Sequence, residues 1–201
     1  AGEKETDFRS YLLKAKATNP DALVCSGLVD ETVRCLVQSY EVGIPKSVAR
    51  VANSVASKVE VPTNAGKAAV GVSYAAAFAA SDTRPIAKKF VKHIKSRYGV
   101  VPGHDFSQME DLLTMLKPAL EKAEKRFSGD LASDRKAVRD SIAGITNFTG
   151  LASGPISFCA AGSPECRDGN RTPVMIEYTK GGKNWKTKVA GTVTFNASAG
   201  L

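Results

Sequence analysis

The sequence predicts an α/β chain with parallel, doubly wound sheet at its start, helices in its middle and β structure at its end. Residues 1–80 alternate helix-period segments with short apolar runs, the pattern of strand–helix–strand crossovers. Residues 84–145 carry broad apolar helix faces and no convincing strand. From Phe148 onward strand-like runs return around a Gly181-Gly182 turn.

Taken in order, Phe8, Tyr11, Leu12 and Ala15 repeat at helical spacing, and Asn19-Pro20 stops that helix. Ala22–Cys25 reads as a buried strand. Asp30 is placed to cap a second helix with Val33, Leu36, Val37 and Tyr40 on its apolar face, ending at Gly43. Ser47–Val51 and Val70–Tyr74 are the next strands. Pro85 suits the first turn of a helix that carries Ile86, Phe90, Val91 and Ile94 and ends at Gly99. A longer helix comes next, with Phe106, Met109, Leu112, Leu113, Leu116 and Leu120 expected inward and a kink expected at Pro118. Asp134 begins the last helix. Gly154–Phe158, Thr172–Tyr178 and Asn184–Val189 are the closing strands.

Of the 201 residues 43% are hydrophobic and 24% charged, enough for one or two compact cores. No apolar run approaches the roughly 18 residues of a spanning helix. Ala1–Thr6 is polar and acidic and lacks the anatomy of a secretion leader, so an exported protein would already have lost its own. The net charge of +8 does not point to nucleic acid: Lys88, Lys89, Lys92, Lys95 and Arg97 lie mostly opposite the apolar positions of one helix, as on a solvated face, without interleaved aromatics.

Catalytic and metal signatures are weak. His93 and His104 have neither metal-ligand spacing nor Cys or His companions, so no metal and no cofactor are expected. Ser26-Gly27 and Ser153-Gly154 lack a nucleophile elbow, and Gly66-Lys67 lacks the rest of a phosphate loop. Cys159 and Cys166 bracket a turn-forming stretch and are expected to bond, which places the chain in an oxidising compartment. Cys25 and Cys35, on a strand and the following helix, are expected as reduced thiols.

Three passages together resemble one family. Thr6–Ala22 is similar to its stretch of aspartate-phenylalanine, helix, then asparagine-proline-aspartate-alanine. Phe90–Pro102 is similar to its helix ending in tyrosine-glycine and a proline. Asp134–Ile142, with Asn147-Phe-Thr-Gly and Gly154–Phe158 after it, resembles its last helix and the chain just beyond that helix. The family is that of the type I periplasmic solute-binding proteins, the leucine/isoleucine/valine receptors of ABC importers, and the likeness is to their C-terminal portion.

The resemblance implies two α/β lobes joined by crossing strands, near Ala77–Arg84 and Gly150–Ile156, with a ligand held between lobes that close by hinge motion. Residues 1–80 would belong to the second lobe, 81–150 would be helices of the first lobe, and 151–201 would be the hinge return and terminal β segment. The first lobe is incomplete, so the missing N-terminal half of the same protein is an implied partner, beside a small-molecule ligand and a membrane permease; the implied location is the periplasm.

Ligands of open parallel sheets meet the loops beyond the carboxyl ends of strands. The candidate ligand residues are therefore Leu28, Val29 and Asp30 in one loop, and Arg50, Ala52, Asn53 and Ser54 at the next strand's end. The resemblance places an aromatic near Leu28–Val29 and a carboxylate near Ala52–Asn53, and this sequence has neither, which turns the expectation towards an organic acid or amide. Arg50 offers bidentate contact to an anion, or else serves the fold; Asp30 is either a contact or the helix cap. A sensor module of the same fold and a small α/β enzyme are the alternative functions.

Overall fold

The computed structural model describes residues 5–152, 155–158 and 173–192. The chain divides into two compact units, one of Ala1–Ser81 with Val174–Gly191 and one of Asp82–Pro173 with Thr192–Leu201.

The first unit runs α1 (Arg9–Ala17), β1 (Ala22–Cys25), α2 (Val29–Glu41), β2 (Ala49–Ala52), a 3-10 turn at Ser54–Ser57, α3 (Glu60–Ala65), a second 3-10 turn at Gly66–Ala69, and β3 (Val72–Ala76), then takes in β4 (Val174–Lys180) and β5 (Lys186–Thr192). The five strands lie in the order β1-β2-β3-β4-β5. β1, β2 and β3 are parallel and β4 is antiparallel to β3. Strand alternation divides the residues between two faces. Cys25, Ala52, Val72, Tyr74, Ala76, Val174, Ile176 and Tyr178 share the buried face, where Leu36 of α2, Ala56, Val61 and Ala69 close over them. Val24 and Ala75, on the other face, are exposed.

Tyr178 anchors this core. Its ring lies 5.3 Å from that of Tyr74 and takes Trp185 edge-on at 6.1 Å, an arrangement that suits aromatic quadrupoles. Its hydroxyl donates to Ala56 O, so the buried phenol is satisfied. Burial pushes the Tyr74 phenol up to about 12, against a lowering by its hydrogen bond with Tyr178. Burial raises the Tyr178 phenol further, and the neighbouring Tyr74 adds to the effect.

Cys25 and Cys35 are bonded, with Cα atoms 5.8 Å apart. This corrects the expectation of free thiols. A strand end and the second turn of the helix after it come within disulfide reach because the three-residue link 26–28 folds α2 straight back over the sheet. By the chain-entropy model a ring of this size contributes about 3 kcal/mol. Cys159 and Cys166 lie outside the described residues.

The second unit holds α4 (Pro85–Tyr98), α5 (His104–Glu124) and α6 (Leu131–Ala143). Pro85 opens α4 and Gly99, at φ 71°, closes it in the left-handed conformation expected of a C-terminal glycine. α5 runs as one helix through Pro118. α6 starts earlier than expected: Asp130 is its cap, accepting from Ser133 N at 2.8 Å, while Asp134 accepts from Ser128 N. α5 and α6 pack on each other through small residues, Ala119, Ala123, Ala137 and Ser141. Of the large apolar residues expected inward, Leu116 is half-buried and the others stand open among the described residues: Phe106 is 45% exposed, Met109 56% and Leu113 60%.

Two charged residues secure the turn beyond α6. Asp111 on α5 is buried and accepts from Leu151 N and Ala152 N, both at 2.7 Å. Arg84, held by Asp82, donates to Leu151 O at 2.6 Å and reaches Gly150 O and Ala152 O at 3.3 and 3.5 Å. Position 150 admits only glycine here, because a Cβ would stand 2.1 Å from Asp111 Oδ1.

Candidate functional site

β1 and β2 are in parallel register with Cys25 opposite Ala52, so the loops leaving them start side by side at one edge of the sheet. Leu28, Val29 and Asp30 are thereby brought to the same edge as Ala52, Asn53 and Ser54. Leu28 is the extended N-cap residue of α2 and 72% exposed. Val29, first residue of the helix, packs partly against the main core. Asp30 stands in the first turn and is not the cap; no side chain caps this helix. Its carboxylate, with that of Glu31, complements the positive end of the helix dipole.

On the second loop, Ala52 is buried and Ser54 begins the 3-10 turn. Asn53 joins the loops directly: its Nδ2 donates to Gly27 O at 3.0 Å. Thr32 Oγ1 reaches the same carbonyl at 3.4 Å. Gly27 is required sterically, because a Cβ there would sit 2.7 Å from Glu31 Cβ.

Arg50 departs from the expectation. It is buried on β2, but its guanidinium turns towards the amino-terminal end of the strands, donating to Ile44 O at 2.8 Å, with Ser39 Oγ at 3.4 Å and Val48 O at 3.5 Å. It ties the turn after α2 to the sheet and lies away from the loops that gather Leu28 and Asn53. The cause is local: Arg50 points to the helix-covered face two positions before Ala52, and the carbonyls of the 44–48 turn are the acceptors within reach. Burial pushes its guanidinium down. A groove of about 590 Å³ lined by Leu13, Lys16, Pro20, Ile44, Pro45 and Val48 lies at that same end, away from the loops of Leu28–Asp30 and Ala52–Ser54.

Three polar atoms at the carboxyl edge, Glu31 Oε2, Asn53 Oδ1 and Ser57 Oγ, are buried and have no hydrogen-bond partner among the described residues. Sequence reasoning missed Glu31 and Ser57. Glu31 was legible as the residue one helical turn beyond Gly27, a spacing that puts the two on one side of α2's start. The edge therefore does hold a carboxylate, one loop away from where it was sought. Among the described residues no group of three His, Cys, Asp or Glu stands together as a metal site, and no helix is long and apolar enough to cross a membrane.

The family model described as periplasmic binding protein matches residues 2–167. Among solved structures, a leucine-binding protein from Thermotoga maritima is similar at 24% identity and TM-score 0.76, over 96% of this chain and 50% of its own. The branched-chain amino-acid transporter substrate-binding protein of Streptococcus pneumoniae, in complex with isoleucine, is similar at 21% identity and TM-score 0.76, over 97% of this chain and 51% of its own. A solute-binding protein from R. palustris in complex with benzoate is similar at 16% identity and TM-score 0.71, over 98% and 51%. Likeness at these identities is likeness of fold, and the chain spans about half the length of each structure. No curated protein matches it. With a parallel-rich open sheet of the type I fold and a family match over most of its length, this chain belongs to the periplasmic binding protein family.

Proposed function

We propose that the chain is the C-terminal portion of an exported solute receptor that captures a small organic molecule and delivers it to the membrane permease of an ABC importer. The observation that carries this reading is the side-by-side ending of β1 and β2, which gathers Leu28, Val29, Asp30, Asn53 and Ser54 where open parallel sheets receive ligands. These loops form one wall of the site. The unit of Ala1–Ser81 with Val174–Gly191 is the receptor's second lobe, and α4–α6 belong to the first.

The rest of the first lobe comes from an N-terminal half of the same gene product. Support for that half is twofold: the related structures are about twice this length, and Phe106, Met109 and Leu113 form an open apolar face of the kind a sheet covers. The protein acts by binding, in the periplasm, without a cofactor or a catalytic residue.

The ligand is an amino acid, an amide or an organic acid, the chemistry spanned by the isoleucine and benzoate of the related structures. A thermal-shift screen of the complete gene product against amino acids, amides and aromatic and aliphatic acids tests the reading. A ligand at a hundredfold excess over its Kd adds about 2.7 kcal/mol of stability. A panel in which no member raises the melting temperature overturns it.

A further inference from the structure

We propose that the Cys25–Cys35 disulfide is a redox-sensitive lock on the loop from β1 to α2, so that the order of this wall of the candidate site depends on the oxidation state of the protein. The role of that loop as a ligand wall rests on the receptor function; the lock itself rests on the geometry.

The bond joins the last residue of β1 to the seventh residue of α2, closing Ser26–Arg34 into a ring that contains Leu28, Val29, Asp30 and Glu31. Apart from the packing of Val29, Thr32 and Val33, the non-covalent ties at the start of this segment are weak. α2 has no side-chain cap, and Leu28 at the cap position is largely exposed. Among the described residues the side-chain hydrogen bonds that reach into the link between β1 and α2, from Asn53 Nδ2 and Thr32 Oγ1, share the acceptor Gly27 O, and the second is long at 3.4 Å. A helix start without a cap leaves its first N–H groups unmet, so the covalent bond adds to the packing of Val29 and Thr32 in holding the first turn of α2 over the strand end.

The same bond matters little to the core below it. Cys25 is 1% exposed, opposite Ala52 in the same core cluster as Leu36 and Ala56, and a thiol fills that space as a small apolar group. Reduction therefore acts on the loop more than on the sheet. Cys35 is partly exposed and Cys25 is buried, so an incoming thiolate attacks Cys35 Sγ and expels the Cys25 thiolate. With a dithiol as reductant, its second thiol then releases Cys35; two electrons and two protons pass to the protein, giving two Cys thiols and a cyclic disulfide of the reductant.

The test is amide hydrogen exchange on the 201-residue chain, oxidised, reduced with a dithiol, and as the double variant Cys25→Ala with Cys35→Ala, after thiol titration of the oxidised protein. The expected result is that Cys25 and Cys35 are blocked to titration. Exchange at the hydrogen-bonded amides Thr32–Leu36 should accelerate about tenfold or more on reduction and in the double variant, with the amides of β3 and β4 changing by less than about a factor of two. Unchanged exchange at Thr32–Leu36, equal acceleration in β3 and β4, or free thiols at both positions overturns the proposal. Exchange is read without solute, so the result is independent of the receptor reading, which stands or falls on the ligand screen.

Discussion

Replacing Asp111 with alanine should destabilise the helical unit selectively. The carboxylate is buried and accepts from Leu151 N and Ala152 N, both at 2.7 Å. Hydrogen bonds to a charged acceptor contribute about 1.5–3 kcal/mol each. Leu151 N would be left in a buried position, whereas Ala152 is partly exposed and its amide can turn to water. Counting the first bond in full and the second in part gives a loss of about 3 kcal/mol. Asp111→Asn keeps one acceptor but sets an amide donor against the other N–H, so it should fall between wild type and Asp111→Ala. At a urea dependence of about 2 kcal/mol per molar, the loss for alanine moves the midpoint of that unit down by about 1.5 M. Two probes separate the units. Trp185, the sole tryptophan, packs against the sheet core, while α4, α5 and α6 supply more helix than α1, α2 and α3 and dominate the far-ultraviolet signal. The ellipticity midpoint should drop with the fluorescence midpoint unmoved. Equal shifts by both probes, or none by either, would refute the assignment of Asp111 as the clamp of the 150–152 turn.

Other expectations rest on the same reasoning. Gly150→Ala should cost at least as much as Asp111→Asn in the same ellipticity assay, because its Cβ overlaps Asp111 Oδ1 and the Phe148 ring. Arg50→Ala should lose about 2–4 kcal/mol by leaving Ile44 O unmet and opening space under α2, and Arg50→Met, which keeps the stem and removes a charge that burial disfavours, should lose clearly less; equal losses in urea titrations monitored by Trp185 would contradict this. Tyr178→Phe should cost about 1–3 kcal/mol by stranding the Ala56 carbonyl. The raised phenols set an alkaline limit. A folded-state value of about 12 at Tyr74, above the unfolded value of 10, stabilises fully below pH 10 and is lost as pH climbs from 10 through 12. Fluorescence midpoints should therefore hold level to about pH 9 and fall above pH 10, less steeply in Tyr74→Phe; a fall beginning at pH 8 would place the loss elsewhere.

Much of the sheet was legible because its strands are short apolar runs between clear stops: Ala22–Cys25 is read as it stands, and Asn19-Pro20 and Gly99 end their helices where expected. The departures have physical causes. A cap depends on backbone geometry that composition does not reveal, so the sequence points to Asp30 and Asp134 although Leu28 and Asp130 hold those positions. Arg50 is one of a strand's alternating residues, and its neighbours across the sheet do not tell which end its long side chain will seek. The disulfide required knowing that α2 folds straight back over β1. Glu31 and Ser57 join the candidate site only once α2 and the turn after β2 are packed together.

The central claim, that these residues form one wall of a two-walled receptor, is tested most directly by calorimetry. The best ligand from the thermal-shift screen is titrated into the complete gene product and into the 201-residue chain. One-to-one binding by the complete protein and at least about a hundredfold weaker binding by the chain are expected, a difference of about 2.7 kcal/mol. Equal affinity from a monomeric chain would contradict it, because the site would then be built wholly from the residues present here.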